Sequence, residues 1–208
     1  MIKVSYAVTV CNELNEIRGL IPFLLEYARP QDEIVVLYDR YGGTDEVLQY
    51  LESIKNDKVK IHTGAFRKDF AAWKNKLTGL CEGDYVYQID ADETPSIPLM
   101  ENIHSILQHN SENEVYLVPR VNIVNGLTPE HIKKWGWKVD KSGYVNFPDY
   151  QWRIYKNTKR IKWINKVHER LDGFKTYAPL PPDINYALMH IKDIERQEKQ
   201  NEFYENLS

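Results

Sequence analysis

The sequence predicts an α/β fold, with a mixed, mostly parallel central sheet that is flanked by helices. In the first half, short apolar and β-branched runs alternate with segments whose apolar residues recur every three or four positions. This alternation is typical of strand–helix–strand units, in which the strands are parallel. With 208 residues, 42% of them hydrophobic, the chain can bury a sizeable core, and we predict one domain over 1–208.

The first half is predicted to contain four strands and three helices. The strands are apolar, and they are predicted at 3–11, 33–39, 58–63 and in a segment that ends at Asp90. The helices have an apolar face, and they are predicted at 14–28, 45–55 and 68–81. Because the four strand ends point the same way, we expect a ligand beyond their carboxyl ends.

The second half is less regular. A helix is predicted at 97–109, and the region 126–149 lacks a clear period and is predicted to be a long functional or mobile loop. Further strand-like segments are predicted at 115–124, 150–156, 160–164 and 184–191. A strongly charged terminal helix is predicted at 193–206.

Composition and charge exclude several classes of protein. The net charge of −3 and the pI of about 6.1 give no basic field, so no nucleic-acid partner is indicated. Cys11 and Cys81 are predicted to be reduced thiols without metal or redox spacing. No secretory signal and no apolar stretch of the roughly 20 residues that a membrane helix needs is recognised. We therefore expect a cytoplasmic protein, and membrane association is not indicated.

The segment Asp90-Ala91-Asp92-Glu93 is the most informative one, because it places three carboxylates directly after a buried strand. Hard divalent cations prefer oxygen ligands, and Asp-x-Asp at a strand end can place one carboxylate on a metal and the other on metal or ribose. A solvated turn with helix capping is the alternative. The four aligned strand ends favour the binding site.

Several motifs together give this chain a family resemblance. They are the segments 8–13, 35–39 with 43–45, 70–75, 83–86 and 90–93. In this combination the chain resembles the family 2 inverting, nucleotide-sugar-dependent glycosyltransferases. The resemblance implies a Rossmann-like GT-A fold and transfer of a sugar from a nucleoside diphosphate to an acceptor hydroxyl. It favours a UDP-sugar donor and a glycan or lipid-linked acceptor.

Two details refine the resemblance. The segments 150–155 and 163–169 are similar to the Arg-rich strand and the Val-His-Glu segment of the lipopolysaccharide-core branch, with His168 next to the substrate. In contrast, relatives commonly read Asp-Asp-Gly-Ser after the second strand, whereas here Arg40-Tyr41-Gly42-Gly43 follows Asp39. The resemblance also divides the chain into a nucleotide-sugar-binding half, 1–96, and an irregular acceptor-side half, 97–208.

The resemblance implies roles for the polar residues at the strand ends. It places four side chains around the nucleoside, and these are Thr9, Glu13, Asp39 and Asp69. It places Asp90 near the ribose and Asp92 on Mn²⁺ or Mg²⁺, where the metal would assist departure of the nucleoside diphosphate. His190, after an apolar run, is a candidate for the remaining protein ligand, and a partly buried structural histidine is the equal alternative.

An inverting transfer needs a base that takes the proton of the acceptor hydroxyl. Glu169 is the first candidate, Asp149 the second, and Glu93 is also possible in chemical terms. For Glu169 the alternative role is a surface ion pair with the positively charged side chain of Arg170 or Lys166.

Other side chains have the chemistry to hold the donor or the acceptor. The candidates for phosphate binding carry positive charge, and they are Arg67, Lys68, Lys74 and Arg153. Trp135 and Trp137 in the long loop are predicted to stack on a sugar or to close over the donor. Trp152 and Trp163, on predicted strands, are expected in the core.

Two other functions remain open from the sequence. A nucleotidyltransferase can have a similar acidic metal site, but it usually has a glycine-rich loop after the first strand, and residues 11–16 contain no glycine. A non-catalytic domain that binds nucleotide sugars or carbohydrates is the third possibility, and only the irregular Asp39 loop favours it.

Overall fold

A seven-stranded mixed sheet forms the centre of the protein. The computed structural model describes residues 1–205, except for the side chains of 200 and 203–205. The strands, in chain order, are β1 (Val4–Val10), β2 (Glu33–Asp39), β3 (Val59–Gly64), β4 (Tyr85–Asp90), β5 (Glu93–Pro95), β6 (Val115–Val118), β7 (Arg120–Asn125), β8 (Gln151–Lys156), β9 (Lys162–Ile164), β10 (Arg170–Asp172), β11 (Tyr177–Pro179) and β12 (Leu188–Asp193). The helices are α1 (Leu14–Tyr27), α2 (Asp45–Ile54), α3 (Phe70–Thr78), α4 (Ile97–His109), α5 (Pro129–Trp135) and α6 (Ile194–Glu205).

The order of the strands creates a crevice at the centre of the sheet. The order is β11-β6-β8-β4-β1-β2-β3, and β1 to β4 are parallel, whereas β8 runs antiparallel to β4. The chain moves outwards from β1 to β3 and then returns to place β4 on the other side of β1. Ligands of open α/β sheets bind at such a reversal, beyond the carboxyl ends of the strands. Here Thr9 lies beside Asp90 in the register of β1 and β4.

Alternating strand residues pack on the two faces of the sheet. On one face Tyr6 and Val8 of β1 belong to a core with residues of α1, α2 and α4. On the other face Ala7 packs in a core with α3 and with Trp163 from the β9–β10 hairpin. The sheet is therefore covered on both faces, as the apolar runs predicted.

A smaller, three-stranded sheet joins distant parts of the chain. β12 lies between β5, to which it is antiparallel, and β7, to which it is parallel. Glu93 is the register partner of His190. Through this sheet, β5, which begins at Glu93 of the acidic motif, lies next to the strand that contains His190.

The predicted fold class is confirmed, whereas some elements of the second half differ from the prediction. The region 126–149 contains the helix α5, which begins after the cap Thr128 and ends at Gly136 in the left-handed conformation. The strand predicted at 184–191 begins only at Leu188, because Ile184–Tyr186 forms a short 3-10 turn. The terminal helix is α6, and residue 206 of its predicted range lies outside the described residues. Within residues 1–205, no helix is both long and apolar enough to cross a membrane.

Candidate functional site

A cleft of about 560 Å³ opens at the carboxyl ends of β1, β2 and β4. It lies at the crevice that the strand order creates. Seven predicted site residues line it, and these are Thr9, Glu13, Asp39, Lys74, Asp90, Asp92 and Glu169. The structure therefore brings together residues from five separate parts of the sequence. β1, β2 and β4 end at the same edge of the sheet, and Lys74 on α3 and Glu169 before β10 reach this edge from outside the sheet.

Asp39 organises one end of the cleft. Its carboxylate accepts hydrogen bonds from the backbone N–H groups of Tyr41, Gly42 and Phe66, at 3.2, 3.2 and 3.0 Å. A carboxylate has about four acceptor positions, so one is left for a donor in the cleft. The backbone of the loop after β2 thus holds the Asp39 carboxylate in place.

An aromatic wall stands beside Asp39. The rings of Phe66 and Phe70 are 4.7 Å apart, and those of Phe66 and Trp73 are 6.0 Å apart. All three residues line the cleft. Together with the remaining acceptor position of Asp39, this wall offers aromatic rings and a polar group for a planar heterocycle.

Glu13 closes the end of β1. Its carboxylate accepts a hydrogen bond of 2.7 Å from the backbone N–H of Cys11. Burial raises the pKa of Glu13, although the Cys11 N–H bond opposes the shift. The carboxylate is held against the backbone and still lines the cleft.

A buried arginine fixes Asp90. Arg153 donates to Gln88 at 2.8 Å, to Asp90 at 2.6 Å and to Glu93 at 2.6 Å. Burial raises the pKa of Asp90, but the charges of Arg153 and Lys74 lower it overall. Arg153 is only 3% exposed and does not line the cleft, so it holds the acidic motif from behind, and its position does not support the predicted contact with phosphate.

The same network continues to Asp149. Arg120 donates to Glu93 at 3.0 Å and to Asp149 at 2.9 Å. Asp149 also accepts bonds from Asn122, at 2.7 Å, and from Gln151, at 3.0 Å. Neither Glu93, which is 1% exposed, nor Asp149 lines the cleft, so our prediction of these carboxylates as alternative bases is not supported by their positions.

The last hydrogen bonds of the network determine which ring nitrogen of His190 carries the proton. Asn122 donates through Nδ2 to the Asp149 carboxylate, so its Oδ1 faces Nδ1 of His190, at 2.8 Å. This oxygen can only accept, and Nδ1 must therefore carry a proton. In the neutral imidazole, Nε2 then presents a lone pair to Oδ2 of Asp92, 3.2 Å away. Two acceptors at this distance require a proton or a metal ion between them.

This arrangement fits a divalent cation. An imidazole nitrogen and a carboxylate oxygen are suitable ligands for Mn²⁺, and a hydrogen bond on the other ring nitrogen is the usual orienting contact of a metal-bound histidine. Burial raises the pKa of Asp92, but a protonated His190 outweighs burial and lowers that pKa through its hydrogen bond and charge. Within the described part of the chain, no group of three or more His, Cys, Asp or Glu side chains is arranged to hold a metal ion, so further ligands would come from a substrate or water.

Lys74 and Glu169 form a pair across the cleft wall. Lys74 Nζ lies 2.6 Å from the Glu169 carboxylate and 3.5 Å from that of Asp90. The ammonium group also lies 4.7 Å from the centre of the Trp163 ring. Lys74 is 4% exposed, so it does not face bulk water, and it holds Glu169 where that carboxylate borders the cleft.

Apart from the buried His190, six other predicted site residues do not line the cleft. Arg67, Lys68 and His168 are exposed, and Asp69 caps α3 by accepting a bond of 2.9 Å from the backbone N–H of Ala72. Trp135 and Trp137 pack on each other, with ring centres 4.6 Å apart, at the end of α5. The positions of these side chains do not support the predicted contacts with substrate.

Two cationic residues that the sequence analysis missed do line the cleft. They are Arg196 and Lys199, both on α6. The Arg196 guanidinium lies 3.5 Å from Asp92 and pairs with Glu16 of α1. Their spacing of three residues places both on one face of a helix, but no sequence pattern shows over which part of the sheet a polar helix will fold.

The fold and the site define a class of protein: a Rossmann-like α/β domain with an acidic cleft at the β1–β4 crevice. Residues 5–178 match the family model described as "Glycosyl transferase family 2". Since this is most of the chain, the protein belongs to glycosyl transferase family 2.

Solved structures of TarS from S. aureus share the fold. TarS 1-349 matches with a TM-score of 0.64 at 17% identity, over 91% of this chain and 60% of that chain. The TarS 1-349 complex with UDP-GlcNAc matches with a TM-score of 0.63 at 18% identity, over 91% and 58%. The complex with UDP gives 0.58 at 19% identity, over 88% and 62%. The chain thus spans about three fifths of these TarS structures, and the predicted GT-A fold is confirmed.

Proposed function

We propose that this protein transfers a sugar from a nucleoside-diphosphate sugar to a hydroxyl group of an acceptor, with inversion at the anomeric carbon. The observation that carries the proposal is the cleft at the β1–β4 crevice, where Asp39, Asp90, Asp92 and Glu169 meet. Membership of glycosyl transferase family 2 supports the same activity.

A UDP-sugar is the proposed donor. TarS structures with UDP and with UDP-GlcNAc, which share the fold, support this choice. In our proposal the uracil ring of the donor lies against the wall of Phe66, Phe70 and Trp73. Its N–H group donates to the remaining acceptor position of Asp39. Asp90, fixed by Arg153, accepts from the ribose.

Asp92 and His190 are the proposed protein ligands of Mn²⁺ or Mg²⁺. When bound, such an ion supplies Lewis-acid stabilisation of the negative charge that develops on the departing diphosphate. Asn122 keeps the Nε2 lone pair of His190 directed at this position.

Glu169 is the proposed general base. The acceptor oxygen forms a bond to the anomeric carbon, the bond from that carbon to the diphosphate oxygen breaks, and Glu169 takes the hydroxyl proton. Lys74 positions the carboxylate through their 2.6 Å ion pair. We further propose a glycan or lipid-linked acceptor, as in the lipopolysaccharide-core branch, because the segment 163–169 that resembles this branch carries Glu169 to the cleft.

The donor site is tested by calorimetric titration. Nucleoside diphosphates and nucleotide sugars are titrated with Mn²⁺ and with a chelator, into the wild type and Asp92→Ala. We expect metal-dependent binding of a uridine nucleotide that the substitution removes. If no nucleotide binds, or if binding ignores both the metal and Asp92, the proposed function is overturned.

The base is tested with Glu169→Gln. Loss of the proton acceptor is expected to lower kcat by about 10²–10⁴-fold, while the Kd of the donor stays unchanged. The measurement is release of the nucleoside diphosphate from the donor that the titration identifies. Glu52→Gln, an exposed change on α2, is the matched control and should retain wild-type turnover. Wild-type turnover in Glu169→Gln would assign the base elsewhere.

A further inference from the structure

Helix α6 brings positive charge to the acidic end of the cleft. Arg196 and Lys199 line the same cleft as Asp90 and Asp92, and both lie on one face of the helix. The Arg196 guanidinium contacts two carboxylates, Asp92 at 3.5 Å and Glu16. None of the contacts described for the proposed reaction uses these two cations.

Arg196 and a divalent cation compete for the same atom. Oδ2 of Asp92 faces both the guanidinium and Nε2 of His190. A divalent cation between Asp92 and His190 would stand within a few ångströms of the guanidinium, where like charges repel. The guanidinium therefore loses Asp92 as a partner when the cation binds.

Separation of the Arg196 guanidinium from Asp92 requires little rearrangement. The Arg196 side chain is 40% exposed, and exposed ion pairs contribute little to stability. α6 is a polar helix, and it contacts α5 where Nε2 of His131 lies 3.6 Å from the half-exposed Glu198 carboxylate. Arg196 can thus turn from Asp92 towards another anion in the cleft.

We propose that Arg196, assisted by Lys199, binds the diphosphate of the donor and exchanges Asp92 for phosphate oxygens. This inference rests on the proposed function and adds binding residues to the same site. The planar guanidinium matches two phosphate oxygens at once, and the lysine adds a mobile point charge. α6 thereby covers the diphosphate while the sugar faces Glu169.

The test compares nucleotides that differ only in their phosphates. Uridine, UMP and UDP are titrated with Mn²⁺ into the wild type, Arg196→Gln, Arg196→Lys and Lys199→Gln. Loss of one charge-assisted hydrogen-bond donor is expected to weaken UDP binding about tenfold in Arg196→Gln. Uridine affinity should stay unchanged, and Arg196→Lys should recover part of the UDP affinity. The exposed Arg18→Gln on α1 is the matched control, with wild-type affinities.

A second readout separates binding from a structural role. Because Arg196 competes for Asp92, Arg196→Gln is expected to bind Mn²⁺ alone more tightly than the wild type, although it binds UDP more weakly. Its urea midpoint should equal that of the wild type.

The outcomes distinguish the two proposals. Equal UDP affinity in the wild type and Arg196→Gln, or unchanged Mn²⁺ affinity, would overturn the inference and leave the proposed function in place. A wild type that binds no UDP would overturn both.

Discussion

A continuous series of hydrogen-bonded side chains connects the carboxylates of Asp90 and Asp92. It runs through charged and amide groups in the order Asp90, Arg153, Glu93, Arg120, Asp149, Asn122, His190 and Asp92. Each link is between 2.6 and 3.2 Å long. The motif is therefore supported from behind at both ends, and Asp149, through Asn122, selects the tautomer of the neutral His190 ring.

Replacement of one link tests this arrangement. Asn122→Leu keeps the size of the side chain but removes the acceptor for Nδ1 of His190. We expect Mn²⁺ affinity to fall about 10–100-fold, as is usual when an orienting contact of a metal ligand is lost. Titration of Mn²⁺ in the presence of UDP measures the effect. Asn125→Leu, an exposed change on the same strand, is the control, and equal losses in both variants would contradict the prediction.

Some roles of single residues could be predicted from sequence, and others could not. Asp39, Asp90 and Asp92 were predicted at the cleft because each lies at or next to the end of a parallel strand, and strand ends meet at one edge. Arg153 was predicted to bind phosphate, but its partner Asp90 is 63 residues away in the sequence. A charged residue looks the same in sequence whether it faces a ligand or a buried carboxylate.

Individual elements also differ in how clearly the sequence predicts them. α4 was predicted with its observed bounds, because its apolar face is buried and Ser96 caps it. α5 buries no residue and so lacks an apolar period, and it is specified by its caps Thr128 and Gly136. Strands of three residues, such as β5 and β10, are too short to show a period. Element length and burial thus decide what the pattern reveals.

The cap of α3 allows a test of Asp69. If this residue acts only as the helix cap, Asp69→Asn should keep both stability and donor affinity, since asparagine caps as well as aspartate. Asp69→Ala should lower the free energy of unfolding by about 1 kcal/mol. Urea unfolding and UDP titration of both variants measure this. A large loss of UDP affinity in Asp69→Asn would instead restore the predicted contact with the nucleoside.

Across the whole molecule, one buried carboxylate joins three parallel strands at the edge opposite the cleft. Glu33 of β2 accepts bonds of 2.6 Å from the hydroxyl of Ser5 in β1 and from the backbone N–H of Glu82. It also pairs with Lys60 of β3 at 2.7 Å. Burial raises its pKa, but Lys60, Ser5 and the Glu82 N–H outweigh burial and lower the pKa to about 2.

This shift makes stability depend on pH. The folded pKa lies below the unfolded value, so the stabilisation is complete above about pH 5 and is lost as the pH falls towards 2. At pH 7 it is worth roughly 3 kcal/mol, from the size of the shift. We expect Glu33→Gln to lose about this amount at pH 7 and less than half of it at pH 3, as measured by urea unfolding.

Glu82→Gln provides the comparison, because the Glu82 side chain also forms an ion pair with Lys60 but is 65% exposed. Its effect on stability should be much smaller than that of Glu33→Gln, because exposed ion pairs contribute little. A pH-independent difference between the wild type and Glu33→Gln would contradict the assignment.

The three-stranded sheet has a consequence for the synthesis of the protein. His190 and Asp92, which face each other, are 98 residues apart in the sequence. On the ribosome, β1 to β4 and the helices between them emerge long before Leu188–Asp193. A nascent chain that has reached α4 already contains Asp90 and Asp92, yet it lacks the imidazole opposite them and the arginine of α6. The order of translation therefore delays completion of the site until β12 has inserted between β5 and β7.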